Sequence, residues 1–128
     1  MLTRRRALAL IPVFFLGVAA RRYSLHPKPR PGITAVRVLQ PHQLTDVDGD
    51  VLKTFNMVRE IPQIADGIYC YCGCAEMPDH YSLLSCYEAD GMARACVVCQ
   101  GEARMVYELH KKGKTLQQIR AAIDRNFG

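Results

Sequence analysis

No apolar run in these 128 residues is long enough to cross a bilayer as a helix. The longest covers residues 7–20, short of the roughly 20 residues that a spanning helix needs. Charge of one sign is also scarce. The formal charge is +5, yet Arg4, Arg5 and Arg6 lie in an opening stretch without acid, and beyond residue 20 the balance is 14 basic to 12 acidic residues. Nucleic-acid binding rests on many phosphate contacts. With the basic residues spread out and no basic-aromatic stripe, nucleic acid is set aside as a partner. The chain has one Cys-x-x-Cys pair, Cys96–Cys99, where a zinc ribbon pairs two such knuckles. Gln100 rather than histidine follows that pair, which removes the covalent haem pattern. Counted from Asp46, the sixth and twelfth places of an EF-hand loop hold Val51 and Met57 instead of glycine and an acid, so calcium is excluded there. No cysteine lies near residue 20 to carry a lipid anchor, and no internal repeat or low-complexity tract appears.

What is present begins with an export pattern over residues 1–20. Three arginines precede the apolar run, which ends Val18-Ala19-Ala20, small enough for cleavage after Ala20. The alternative is an uncleaved N-terminal anchor. Thr3-Arg4-Arg5, followed by Leu8, has the twin-arginine form, and that route carries folded proteins. The expected location is therefore periplasmic or extracytoplasmic, with membrane contact only through the N-terminal segment.

Residues 21–44 contain Pro27, Pro29, Pro31 and Pro41, which block helix and ladder bonding, and read as a stiff extended linker with a short strand over 33–39. Residues 45–128 read as the domain. Val51, Leu52, Phe55 and Val58 recur at helical spacing behind Asp46, Asp48 and Asp50, which suit a helix start. Pro62 opens a short second helix that Gly67 closes. Pro78 and Asp79 open another that runs to Tyr87, and 88–95 is a loop. A longer helix spans about 96–112, with Met105 and Met57 expected in the core and His110 near a helix end. Gly113 ends it, Thr115 and Gln118 form a capping box, and Leu116, Ile119, Ala122 and Ile123 face the core. The fold class is mainly α, a small helical domain around a cysteine cluster.

All six cysteines lie within thirty residues: Cys70, Cys72, Cys74, Cys86, Cys96 and Cys99. In Cys70-Tyr-Cys72-Gly-Cys74 alternate residues share a face when extended, and Gly73 allows a turn that draws the sulfurs together. Neighbouring cysteines in such a run stand about 6.6 Å apart at Cα, near the limit for a disulfide. Cys96 and Cys99 share a helical face, can chelate one ion, and lie at a helix N-terminus, which favours thiolate. Thiolate-rich sites suit Cu(I), zinc or an iron–sulfur cluster, and the packed run favours copper or a multinuclear site. The expected ligands are the six cysteines, with His80 as a candidate nitrogen ligand. Met77 and Met92 flank the cluster, and Tyr69, Tyr71, Tyr81 and Tyr87 surround it.

Tyr69-Cys-Tyr-Cys-Gly-Cys-Ala75, His80, Cys86 and Cys96-Val-Val-Cys99 together resemble the bacterial PCYCGC-motif family over about residues 50–128. That resemblance implies an exported protein built on a cysteine site, with its ligand unnamed. Here Tyr69 replaces the motif's proline. The tail, from Cys96 through Gly113-Lys114 to Phe127-Gly128, is more weakly similar to the CcmH-type thiol proteins of cytochrome c maturation.

The reading favoured is extracytoplasmic binding of a soft metal, with copper foremost, for handling or delivery to a metallochaperone or membrane-complex partner. A thiol–disulfide oxidoreductase is the first alternative, with Cys96 or Cys99 attacking a partner disulfide and the other resolving it. The second is an accessory subunit of a membrane complex, stapled by disulfides. A binding role ranks above an enzymatic one.

Overall fold

The computed structural model describes residues 24–128; the export signal or anchor expected over 1–20 lies outside them. Among the described residues the architecture is helical, with no strand. It comprises α1 (Gly49–Glu60), α2 (Pro62–Ala65), α3 (Val97–Lys111) and α4 (Leu116–Phe127), plus single 3-10 turns at Pro41–Gln43, Cys74–Glu76 and Leu83–Tyr87. No helix among these residues is long and apolar enough to cross a membrane.

Helix α3 is the hub. It packs against α1, α2, α4 and the Leu83–Tyr87 turn. Helix α1 starts where Asp48 accepts the Val51 N–H at 2.9 Å, and it buries Thr54, Phe55 and Val58. Helix α4 starts at a reciprocal cap, Gln118 N–H to Thr115 at 3.2 Å and Thr115 N–H to the Gln118 side chain at 2.9 Å, and it buries Ile119, Ala122 and Ile123. Between α3 and α4 the chain reverses at Gly113, whose φ of +79° is costly for any residue with a Cβ. Tyr87 and Phe55 meet edge to face at 4.7 Å in the centre of the core. Met105 packs half-buried against the core and Met57 is half-buried on α1.

Three local expectations differ from what forms. Residues 33–39 make no strand. Val38 forms one isolated antiparallel bridge with Glu88, because Gly32 turns at φ +70° and no second strand lies alongside. No helix runs from Pro78 to Tyr87 either. Asp79 adopts φ +67°, which interrupts any helix, and the turn begins only at Leu83, where Ser82 and Ser85 cap each other. The third concerns residues 24–44, expected as a stiff extended linker and strapped to the domain along their length. Val38, Leu39 and Leu44 are buried with the core, so the packed unit extends across the boundary expected at residue 45. The prolines keep the strap extended, and its polar groups find fixed partners on the domain. His26 Nδ1 accepts the Tyr69 N–H at 3.0 Å and its Nε2 lies 2.8 Å from Asp124. Arg120 donates to the Pro27 carbonyl at 2.7 Å, and the Leu39 N–H donates to the Tyr87 carbonyl at 3.1 Å.

The strongest tie is Asp66, fully buried at the end of α2. It accepts the Arg30 guanidinium at 2.8 and 3.1 Å, the Arg30 N–H at 2.8 Å and the Ser82 hydroxyl at 2.7 Å. Burial alone would raise the Asp66 pKa, but these donors outweigh it and hold the carboxyl below its ordinary value. Removing one partner of such a pair leaves an uncompensated charge. Because Arg30 is partly in solvent, Arg30→Ala is expected to cost about 2 kcal/mol, between the exposed and buried limits for ion pairs. The stability that Asp66 contributes is present above the ordinary carboxylate pKa and fades as pH falls through its lowered value. Urea denaturation at neutral pH checks the first statement: a midpoint unchanged in Arg30→Ala would mean that the strap is not anchored there.

Candidate metal centre

The five sulfurs nearest one another come from three parts of the chain: the Cys70–Cys74 segment, the Leu83–Tyr87 turn and the start of α3. The first segment is a tight turn. Gly73 sits at φ +86° with nothing within 4 Å of where a Cβ would stand, so the residue is needed for its backbone conformation alone. That reversal sends Cys74 into a 3-10 turn and leaves it buried. The Ile68 carbonyl accepts the Leu83 N–H at 2.8 Å, which ties the Leu83–Tyr87 turn, and with it Cys86, to the segment leading into Cys70. Tyr87 fixes the turn to α3 through its hydroxyl, which donates to the Cys99 carbonyl at 2.9 Å.

The sulfurs of Cys70 and Cys99 are 3.5 Å apart, and those of Cys72 and Cys86 are 3.7 Å apart. Both separations are far beyond the roughly 2.05 Å of a disulfide, and all six cysteines are free. The donor atoms of Cys70, Cys72, Cys86 and Cys99 all lie within 4.8 Å of one another, as do those of Cys72, Cys74, His80 and Cys86. Around a tetrahedral ion with bonds of about 2.3 Å, sulfurs stand about 3.8 Å apart. The arrangement can hold a metal ion.

His80 sits in the loop before the turn, half-buried, with Nε2 3.0 Å from the Cys86 sulfur and a buried Nδ1 that has no hydrogen-bond partner. Burial lowers its pKa, which keeps the imidazole neutral and able to act as a ligand. Cys96 belongs to neither set of four. It is the N-cap of α3, and its sulfur accepts the Cys99 N–H at 3.5 Å. The expected chelating pair of Cys96 and Cys99 is thus divided, one capping the helix and the other facing the cluster. Met92 reaches the cluster edge, its sulfur 2.9 Å from Cys74, while Met77 is half-exposed beside it. Tyr87 lies beneath the site and Tyr69 packs edge to face on Tyr71 at 4.8 Å, but Tyr81 stacks on Arg30 at 4.3 Å, away from the sulfurs.

The thiols divide their protons unequally. Sulfur hydrogen bonds from Cys70 and then Cys86 pull Cys99 down to about 3. Cys70 moves up, because its hydrogen bonds with Cys86 and Cys99, and then burial, favour the protonated form. For Cys86 the bond with Cys70 acts downward, yet its bond with Cys99 and its burial prevail and push it up. Burial, followed by the neighbouring Cys72, pushes Cys74 up to about 12. Burial also raises Cys96, against the helix-start N–H groups that stabilise its thiolate. The helix start was expected to favour thiolate at both Cys96 and Cys99, but only Cys99 is lowered, and its sulfur neighbours are the main cause.

Glu102 is a buried carboxyl beside the cluster that spacing did not single out. It is fully buried one turn after Cys99 and accepts the Tyr71 N–H at 2.9 Å, and its second oxygen has no partner. Its position three residues after Cys99, on a face shared with Ala103 and Val106, was the available signal. Burial raises its pKa to about 8, so the carboxyl is protonated at neutral pH. Between the ordinary value of 4.5 and about 8 the folded chain keeps a proton that the unfolded chain has lost. The resulting stability is present at acid pH and is lost as pH rises toward 8. Glu102→Gln removes this titration. In thermal melts of the reduced protein it should gain on the wild type by several degrees from about pH 5 to pH 8. Cys99 titrates in the opposite sense in both proteins, and the comparison removes that contribution except for its coupling to Glu102. A gap independent of pH would contradict the buried, protonated carboxyl.

No curated protein and no solved structure matches the chain. A family model described as a protein of unknown function with PCYCGC motif matches residues 32–128, from inside the strap to the final glycine. The match takes in every sulfur of the cluster, His80 and Glu102, and on that extent the chain belongs to the PCYCGC-motif family, with Tyr69 in the place of the motif's first proline.

Proposed function

We propose that this protein binds a soft metal ion outside the cytoplasm, with copper(I) as the ion, for handling or delivery. The observation that carries the reading is the set Cys70, Cys72, Cys86 and Cys99: four free thiols with their sulfurs mutually within 4.8 Å, three of them at 0–1 % exposure. Ionising four buried thiols at one point is costly unless a cation compensates them. Soft thiolate donors suit copper(I), zinc or an iron–sulfur cluster, and the Met92 sulfur beside Cys74 adds a thioether, which tips the choice toward copper(I). The export pattern of residues 1–20 supports an extracytoplasmic site of action.

Thiol–disulfide exchange fits less well. It needs an accessible attacking thiolate. The one thiol held low, Cys99, is 0 % exposed, and the more accessible Cys96 is raised.

Anaerobic purification followed by elemental analysis tests the reading directly. Copper should co-purify with the protein when the cells are supplied with it, and Cys99→Ser should weaken Cu(I) binding by at least about 100-fold in competition with a chromogenic chelator. Zinc in place of copper would overturn the choice of ion. A wild type that retains no metal, with Cys99→Ser indistinguishable from it, would overturn the binding role.

A further inference from the structure

The metal-binding reading uses four sulfurs, but the geometry presents more donors than one ion takes. Two sets of four overlap. Cys70 and Cys99 belong to the first only, Cys74 and His80 to the second only, and Cys72 and Cys86 to both. Two tetrahedra that share an edge have six vertices, two of them common. The donors here have that arrangement: two terminal thiolates on one side, a thiolate and an imidazole on the other, and two sulfurs between. We propose that the cluster is a dinuclear centre, in which two soft ions share the Cys72 and Cys86 thiolates as bridges. This rests on the metal-binding reading and specifies its stoichiometry and architecture.

Independent observations support a second position. The His80 ring has no protein hydrogen-bond partner except the Cys86 sulfur, and its buried Nδ1 is unpaired. Buried polar atoms of this kind are rare and mark strain, catalysis, a water or an ion. The two positions also differ in surroundings. Cys70 and Cys99 are at 0 % exposure, enclosed by the core. Cys74 and His80 line a cleft of ≈ 100 Å³ that also involves Met77, Asp79 and Gly91. The inner ion is therefore enclosed and the outer one communicates with solvent through the cleft. Met92, 47 % exposed and 2.9 Å from the Cys74 sulfur, adds a soft thioether donor at the edge of the outer position. Each ion displaces the protons of the thiols that it binds, and nothing is oxidised or reduced. Cys96, outside both sets, is not a ligand.

Native mass spectrometry of the reduced full chain, titrated separately with Cu(I) and Zn(II) under anaerobic conditions, tests the proposal. At least one of the two ions should give a terminal species with two metals. In that species a water-soluble chelator should remove the first ion at least tenfold faster than the second. Cys74→Ser combined with His80→Ala should stop at one ion, and Cys96→Ser should still take two. Cys72→Ser should weaken both ions, because it removes a shared bridge, whereas separate sites would lose only one. X-ray absorption of the two-metal form should show a metal–metal scattering shell. A wild type that stops at one ion with both metals overturns the dinuclear centre and leaves the binding role standing. A larger terminal cluster, or two ions with no metal–metal shell, also overturns it. No ion with either metal overturns both readings. The wild-type counts do not depend on whether any variant folds.

Discussion

Five thiols in one buried space cannot all ionise unless a cation joins them, and the rest of the structure answers to that constraint. Each thiolate formed in a poorly solvated pocket makes the next harder to form, through repulsion and lost hydration. In the protein by itself the conflict is resolved by sharing. Cys99 holds one negative charge, stabilised first by Cys70 and then by Cys86, while Cys70, Cys74 and Cys86 are driven the other way. Glu102 shows the same pressure from the other side. A carboxylate beside the charged Cys99 would add a second anion to a dry site, and the carboxyl stays neutral. A metal ion reverses this balance, because its charge favours every thiolate at once.

The fold holds these groups together through elements that are distant in sequence. Helix α3 supplies Cys99 and Glu102, and it can do so because α1 and α4 pack on its other sides and fix its position. The Cys70–Cys74 turn is held at its start by the Tyr71 N–H on Glu102 and by the His26 ring on the Tyr69 N–H. His26 belongs to the strap, so residues far from the cluster in sequence set the angle at which the first cysteine enters it. The same strap is fastened at Asp66, which also receives Ser82, the residue that starts the Cys86 turn. One buried carboxylate thus couples the strap to the turn that carries a candidate bridging sulfur.

Much of this was legible in the sequence, and what was missed has physical causes. Helices α1, α3 and α4 could be read because their signals are local: Asp48 and Thr115 as caps, Gly113 as a stop, apolar residues at helical spacing. The convergence of the Cys70–Cys74 run was legible from Gly73, which turns the chain at positive φ and draws the sulfurs together. The strap could not be read because its anchors are single side chains far away: Arg30 to Asp66, His26 to Asp124, Pro27 to Arg120. Proline spacing reports that a segment is extended but not whether something binds it. Cys96 and Cys99 look equivalent in sequence because they stand at helical spacing, yet the helix begins at Val97, one residue after Cys96, which makes Cys96 the cap and Cys99 a core residue.

Because the donors come from three segments, assembling the site and assembling the fold are largely one event. A protein whose ligands lay on one rigid helix could bind metal with little effect on the rest of the chain. Here the Cys70–Cys74 turn, the Leu83–Tyr87 turn and the start of α3 must already be docked for four sulfurs to meet. The free energy of metal binding then adds to the stability of that docking, in proportion to how far the affinity of the folded chain exceeds that of the unfolded one. The converse also holds. The thiols that resist ionisation are packed as small apolar groups in the core, with Cys70 and Cys86 among its buried members. The same side chains serve as core packing when protonated and can serve as ligands when ionised.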